Sequence, residues 1–316
     1  MYRKLTADVP GVDVPKLVTD TARQRWSRRR FLGGAMAIAT LGSFATGCDS
    51  GAGQPSSAPK PAPVLRPSAS TRATTTISGT SATSGVDAEL IAERYLGLKP
   101  FAPVPPPPAV KPVTLSASDP TVFSNVPMTD KVVFITVDDG LVKDPRYIQM
   151  VKDFQIPITV DLANLFISDD YSYFAKLYET GYVSIQNHTV HHLLDMPALS
   201  AGQQLDEIAG QQEILRKQYG VTPYLFRPPG GNYDETTIQV AGQAGLKGVM
   251  MWKETMQITN MEYQTATDRL SPGDIILAHF RDPAQLDGES MIHMMIWLYR
   301  HIQDQGFTVG DLEQYV

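Results

Sequence analysis

Residues 131–140 read KVVFITVDDG, and the reading of this stretch decides the fold. From Val132 to Val137 every residue is β-branched or aromatic, with no alternation of apolar and polar positions. A strand of that kind is buried on both faces, as strands are in parallel sheets covered by helices. The run then stops at Asp138, Asp139 and Gly140. Asp-Gly is a common turn pair, so the acids could do no more than end the strand. In barrel enzymes, however, the C-terminal ends of parallel strands carry the active site, and two adjacent carboxylates there are candidates for chemistry.

The same pattern recurs outward from this point. Strands are predicted at PITVDLA (157–163), YVSIQN (182–187), YLFRP (224–228), LKGVMMW (246–252), DIILAH (274–279) and FTVGDL (307–312). Amphipathic stretches lie between them: PRYIQMVKDF, YSYFAKLYET, AGQQLDEIAGQQEILRKQYG, DETTIQVAGQAG and MIHMMIWLYRHIQDQ. Strand and helix alternating with few hairpin signals means parallel strands, in a barrel or an open sheet. The methionine-rich MIHMMIWLY is read as core packing, and its neighbours His293 and His301 receive no function.

The rest of the chain has another character. Residues 49–118 are dominated by Pro, Ser, Ala, Thr and Gly, too little apolar surface to offset the entropy of folding. A disordered linker is expected there, with one short helix near DAELIAERYLG. Residues 119–316 then remain for a single substantial core. Upstream, Ser27-Arg28-Arg29-Arg30-Phe31-Leu32 precedes a short run rich in Gly and Ala that ends at Cys48. The run is too short for a good membrane span, and residues 1–48 resemble a twin-arginine export signal. The ATGC ending resembles a bacterial lipobox, with Ala45 where leucine is usual; a plainly cleaved signal or an uncleaved anchor are the alternatives. Cys48 is the only cysteine, so no internal disulfide can form and its role is read as lipid attachment. The domain is thus expected to be exported and held by that anchor on the outer face of the cytoplasmic membrane. Net charge is −6, and the acidic excess lies beyond Cys48, which argues against a nucleic-acid partner.

Chemistry enters with the histidines. Three of the six, His188, His191 and His192, fall within NHTVHH. Chance on a polar loop is the bland explanation. A metal is the sharper one, because residues i and i+4 of a helical turn point the same way and His188 and His192 could share an ion. Asp138, Asp139, His188, Arg227 and His279 all fall at the ends of predicted strands. Each has an ordinary alternative: a turn, an arginine paired with a surface acid, a satisfied core histidine. All of these would have to hold independently on one face.

These motifs resemble, in order, those of the polysaccharide deacetylase, or NodB-homology, family of carbohydrate esterases (family 4). The family's T-F-D-D-G appears as TVDDG, H-[ST]-x-x-H as His188 to His192, R-x-P-x-G as Arg227 to Gly231, and L-x-H as Leu277 to His279. The resemblance covers roughly residues 130–316 and implies a distorted (β/α)7 barrel of the TIM-like α/β class. It implies that Asp139, His188 and His192 hold a divalent ion, zinc first, with cobalt or another divalent ion also fitting. It implies Asp138 as general base, Arg227 as its orienting partner, the Gly230 amide as oxyanion donor, and a protonated His279 as general acid. Leu277 and Trp252 would line the substrate site. The implied reaction removes N-acetyl groups from N-acetylglucosamine-type residues of a polysaccharide such as peptidoglycan or chitin, releasing acetate.

Two departures stand out. The family's acid that tunes the catalytic histidine, an Asp followed by Trp, falls here on Ile258 and Thr259, and Glu254 is an acid nearby. A histidine without that carboxylate should be less protonated near neutrality. Gly230 stands where an aromatic often closes the sugar site. A catalytically impaired glycan-binding protein on the same fold is therefore the second reading. An iron oxygenase is the third, since two histidines and a carboxylate also form that facial triad.

Overall fold

The computed structural model describes residues 85–316. The expectations for the export signal, for Cys48 and for the linker up to residue 84 lie outside the described residues. In chain order the elements are α1 (Gly85–Arg94), β1 (Thr121–Phe123), β2 (Val132–Asp139), α2 (Pro145–Phe154), β3 (Ile158–Leu162), α3 (Asn164–Ile167), α4 (Tyr171–Tyr178), β4 (Val183–Asn187), α5 (Ala201–Tyr219), β5 (Leu225–Phe226), α6 (Glu235–Gln243), β6 (Gly248–Met250), β7 (Glu254–Met256), β8 (Met261–Tyr263), β9 (Ile275–His279), α7 (Met291–Asp304) and β10 (Thr308–Val309). All seven strands and all six helices read from the sequence are present. The reading lacked β1 and the β7–β8 hairpin, whose three-residue strands are too short to show a period.

The strands run in the order β1-β6-β5-β4-β3-β2-β9-β7-β8, with β10 added beside β2. Every named pair is parallel except β7–β8. The chain Gly248–Met256 bends in its middle. Its first part stays with β5, while Met251 N–H donates to Phe123 O, Lys253 N–H donates to Ile275 O, and β7 pairs with β9. One bent segment thus joins the two sides of the sheet, which gives the expected barrel its distortion. β2 is buried along its length up to a half-buried Asp139, as its unalternating sequence requires. No helix among the described residues is long and apolar enough to cross a membrane.

Helices start and stop where local chemistry dictates. Asp144 accepts from Arg146 N–H ahead of Pro145 at the start of α2. Ser200 and Gln203 form a capping box on α5, which ends at left-handed Gly220. In α7, Met291, Ile292, Met294, Met295, Leu298 and Tyr299 are buried, so the methionine-rich stretch is core.

The packed domain begins before residue 119. Ile91 in α1, and Tyr95 and Leu98 just after it, are buried against the core. Phe101 meets Phe154 and Tyr299 edge-on, at centroid distances of 6.3 and 5.6 Å. Lys111 Nζ donates to Val316 O at 2.6 Å. The described end of the expected linker, residues 85–118, is therefore attached to the domain. Composition hid this because a few apolar side chains suffice to dock an otherwise proline-rich segment.

Candidate active site

The parallel strands bring the candidate residues to one rim. Asp138 and Asp139 end β2, His279 ends β9, and His188 and Arg227 directly follow β4 and β5. In the ladder Asp138 lies opposite both Asp161 of β3 and His279 of β9. Adjacent aspartates diverge for a local reason. Gly140 N–H donates to Asp138 O at 3.1 Å, closing a three-residue turn in which Asp139 has φ 79. Left-handed backbone at a non-glycine residue is costly and tends to persist at functional sites. Thr189 (φ 69) and His192 (φ 51) share it.

Asp139, His188 and His192 place one ligand atom each within 4.8 Å of one another. Asp139 Oδ1 is 3.1 Å from His192 Nε2 and 3.5 Å from His188 Nε2. The donor set asks for a cation. His188 Nδ1 lies 2.6 Å from Arg227 O, which can only accept, so Nδ1 carries a proton. In neutral His188 the Nε2 lone pair then faces a carboxylate oxygen. Burial pushes the His188 pKa down, but Asp138, Asp139 and Asp161 outweigh it and the net shift is upward. Burial likewise raises the Asp139 carboxyl, and His188 and His192 outweigh it, holding it well below the usual range. Both shifts say that positive charge belongs at this point. Two imidazoles and one carboxylate suit a divalent ion with positions left open.

The expected helical turn through His188 and His192 is absent. Residues 188–195 form an irregular loop, and the two left-handed residues bring the rings to a centroid distance of 4.8 Å. Side chains hold this loop: Asn187 Oδ1 accepts from Thr189 N–H, and Thr189 Oγ1 accepts from His192 N–H. His191 turns outward, where Glu207 accepts from its backbone N–H at 2.8 Å and meets its Nδ1 at 2.6 Å.

Arg227 is fully buried. Its Nε donates to Met250 O at 2.6 Å, one terminal nitrogen reaches both Asp138 oxygens at 3.3 and 3.4 Å, and the other donates to Thr136 Oγ1 at 3.1 Å. The ring of Trp252 lies 5.2 Å from its guanidinium, so Trp252 backs Arg227. Gly231 (φ 69) leaves room for that indole, which a Cβ would meet at 2.7 Å. Gly230, also left-handed, is exposed on the loop after β5. Leu277 is buried in β9, on the same face as His279.

Sequence reasoning passed over two residues here. Asp161 is fully buried beside Asp138, with no well-formed hydrogen bond to either oxygen among the described residues. Burial drives its pKa up to about 7, with Arg227 opposing and Asp138 reinforcing. The signal was available: a lone charge inside the apolar run ITVDL. Arg281 is the second. Its guanidinium lies 3.1 Å from His279 Nδ1 and is braced by Gln257 O and Oε1, each at 3.4 Å. Burial pushes the His279 pKa down to about 4; Asp139 opposes the shift and Arg281 adds to it. This departs from the protonated acid implied by the resemblance. Glu254 does not replace the missing carboxylate, because it is buried in β7, where burial and then the neighbouring Asp274 carboxylate raise its pKa.

The sequence profile described as polysaccharide deacetylase matches residues 125–249. It spans Asp138, Asp139, His188, His192, Arg227 and Gly230 and stops before Trp252, Leu277 and His279. An uncharacterised protein of Streptomyces coelicolor is 35% identical over 198 residues, covering 62% of this chain and 78% of its own. The peptidoglycan-N-acetylglucosamine deacetylase of Bacillus cereus is 23% identical over 203 residues, covering 60% of this chain and 92% of its own. Among solved structures, a mutant of a Bacillus anthracis carbohydrate esterase family 4 pseudoenzyme, described as having restored enzymatic activity, shares the fold. Its TM-score is 0.53 at 18% identity, over 62% of this chain and 71% of that chain. The chain belongs to the polysaccharide deacetylase family.

Proposed function

We propose that this protein is a divalent-metal-dependent hydrolase that removes N-acetyl groups from N-acetylglucosamine-type residues of an envelope or environmental polysaccharide, releasing acetate. The observation that carries the reading is the buried Asp138–Arg227 pair set directly beside the Asp139–His188–His192 cluster. An ion held by those three residues would supply Lewis-acid polarisation of the acyl carbonyl and a more acidic water. Zinc suits the ligands, and cobalt would substitute.

The chain's own residues do the rest. Asp138 accepts the proton of the attacking water. Arg227 keeps that carboxylate aimed, since its remaining donors are fixed on Met250 O and Thr136. The Gly230 amide is the candidate donor to the oxyanion, and Trp252 and Leu277 shape the cleft around it. The test is acetate release from N-acetylglucosamine oligomers by metal-stripped protein before and after zinc or cobalt is restored. Release only with metal supports the reading; release that ignores metal sinks it.

One observation favours a second reading, a glycan-binding protein with impaired turnover: an arginine, not a carboxylate, meets His279 Nδ1. Tight binding of glycan with no acetate released would select it. The twin-arginine signal of residues 1–48, the linker beyond it and acylation of Cys48 belong to the same proposal. They would hold the domain on the outer face of the cytoplasmic membrane, within reach of peptidoglycan. Labelling with a fatty-acid analogue, lost in Cys48→Ser, tests the anchor.

A further inference from the structure

A guanidinium has only donors and keeps its proton at any ordinary pH. An imidazole nitrogen facing it at 3.1 Å must therefore be the acceptor, so His279 Nδ1 carries a lone pair. The only proton of the neutral ring then sits on Nε2. Arg281 is held in this position by Gln257, whose N–H donates to Asn260 O in the turn between β7 and β8. Ile258 and Thr259, where the family's tuning acid would fall, belong to that same turn. The hairpin that would supply a carboxylate instead braces an arginine.

We propose that Arg281 is a positioning residue that fixes His279 as its Nε2–H tautomer, so that His279 donates a hydrogen bond in the cleft without giving up a proton, and Asp138 carries the proton both ways. A neutral imidazole does not surrender its last proton near neutrality, which leaves the carboxylate as the acid. The steps balance. Water adds its oxygen to the acyl carbon and passes one proton to Asp138; Asp138–H returns that proton to the amide nitrogen as the C–N bond breaks. The amine leaves, acetic acid remains, and Asp138 is again a carboxylate. The depressed pKa of His279 agrees with this division of labour. The proton route rests on the deacetylase reading; the tautomer does not.

The test is nitrogen NMR of the full chain with 15N-labelled histidine, the His279 signals being assigned by their loss in His279→Gln. Nδ1 is expected at the unprotonated position and Nε2 at the protonated one, with and without zinc. In Arg281→Met the Nδ1 signal should move to a position averaged between tautomers, and Arg281→Lys should restore it. A protonated Nδ1 in the unmodified chain overturns the proposal even if the Arg281 variants fail to fold, and so does an Nδ1 signal indifferent to Arg281→Met. Turnover supplies the second arm. His279→Gln keeps an N–H donor near the Nε2 position and should retain about a tenth of the rate, whereas loss of a true general acid costs roughly 10²–10⁴-fold. A loss of that larger size refutes the hydrogen-bond role. No acetate release from the unmodified chain, with Nδ1 unprotonated, would end the deacetylase reading while leaving Arg281 as the residue that sets the tautomer.

Discussion

Arg227 and Asp138 are each buried, and neither is tolerable without the other. Removing one partner of a buried pair strands the remaining charge, at a cost of about 3–5 kcal/mol. Arg227→Met should therefore lower the unfolding free energy read from urea titration by an amount of that order, with a matching fall in the midpoint, as well as abolish turnover. An unchanged midpoint would mean that Asp138 has water to rely on. Arg227→Lys should be nearly as harmful, because one ammonium cannot span Met250 O, Thr136 and Asp138 as the guanidinium does. At this scale the sequence was readable where a polar residue stands at the end of a predicted strand. Asp139, His188, Arg227 and His279 all do so. Asp161 went unread because it lies inside its strand, and Arg281 because its partner is set by a hairpin the sequence did not announce.

Among the elements, the turn after β2 is the most demanding. Gly140 has φ 94, and a Cβ there would overlap the side chains of Ile167 and Phe174. Gly140→Ala should cost roughly 1–3 kcal/mol and weaken metal binding through the displaced Asp139, which calorimetric zinc titration would read. β7 carries a different liability. Burial, then the neighbouring Asp274 carboxylate, pushes the Glu254 pKa up to about 10. A group whose folded pKa is raised favours folding while protonated. Its contribution is complete below the ordinary value of 4.5 and is lost as pH rises toward about 10. Glu254→Gln should flatten the dependence, narrowing the difference between unfolding midpoints measured near about pH 5 and about pH 9. An equally steep dependence in the variant would place the sensitivity elsewhere. Long strands and helices were legible because burial repeats along them. The three-residue strands were not, since β7 and β8 are defined by their partners and not by any period of their own.

For the whole molecule, the composition boundary and the packing boundary differ. Proline content set the expected boundary at residue 119, but Ile91, Tyr95, Leu98 and Phe101 carry the core's packing upstream of it. A chain cut at residue 119 should melt at least about 5 °C lower than one starting at residue 85, since a loss of 1 kcal/mol shifts the midpoint by about 2–4 °C at this size. Equal midpoints would make the upstream segment an ornament. Parallel strands were legible from strand–helix alternation, and the barrel from the family resemblance. Its closure by the bent segment Gly248–Met256 was not, because only three-dimensional pairing tells which strand each half joins. Assays of the site should therefore keep the upstream segment. The decisive one is acetate released per bound ion from N-acetylglucosamine oligomers and from wall glycan, in the zinc-loaded chain and in Asp138→Asn. Asp138→Asn should bind zinc as the unmodified chain does and release essentially no acetate, while the unmodified chain turns over. Zinc bound one per chain with no acetate from either substrate would contradict the enzyme and leave a glycan-binding protein on a deacetylase fold.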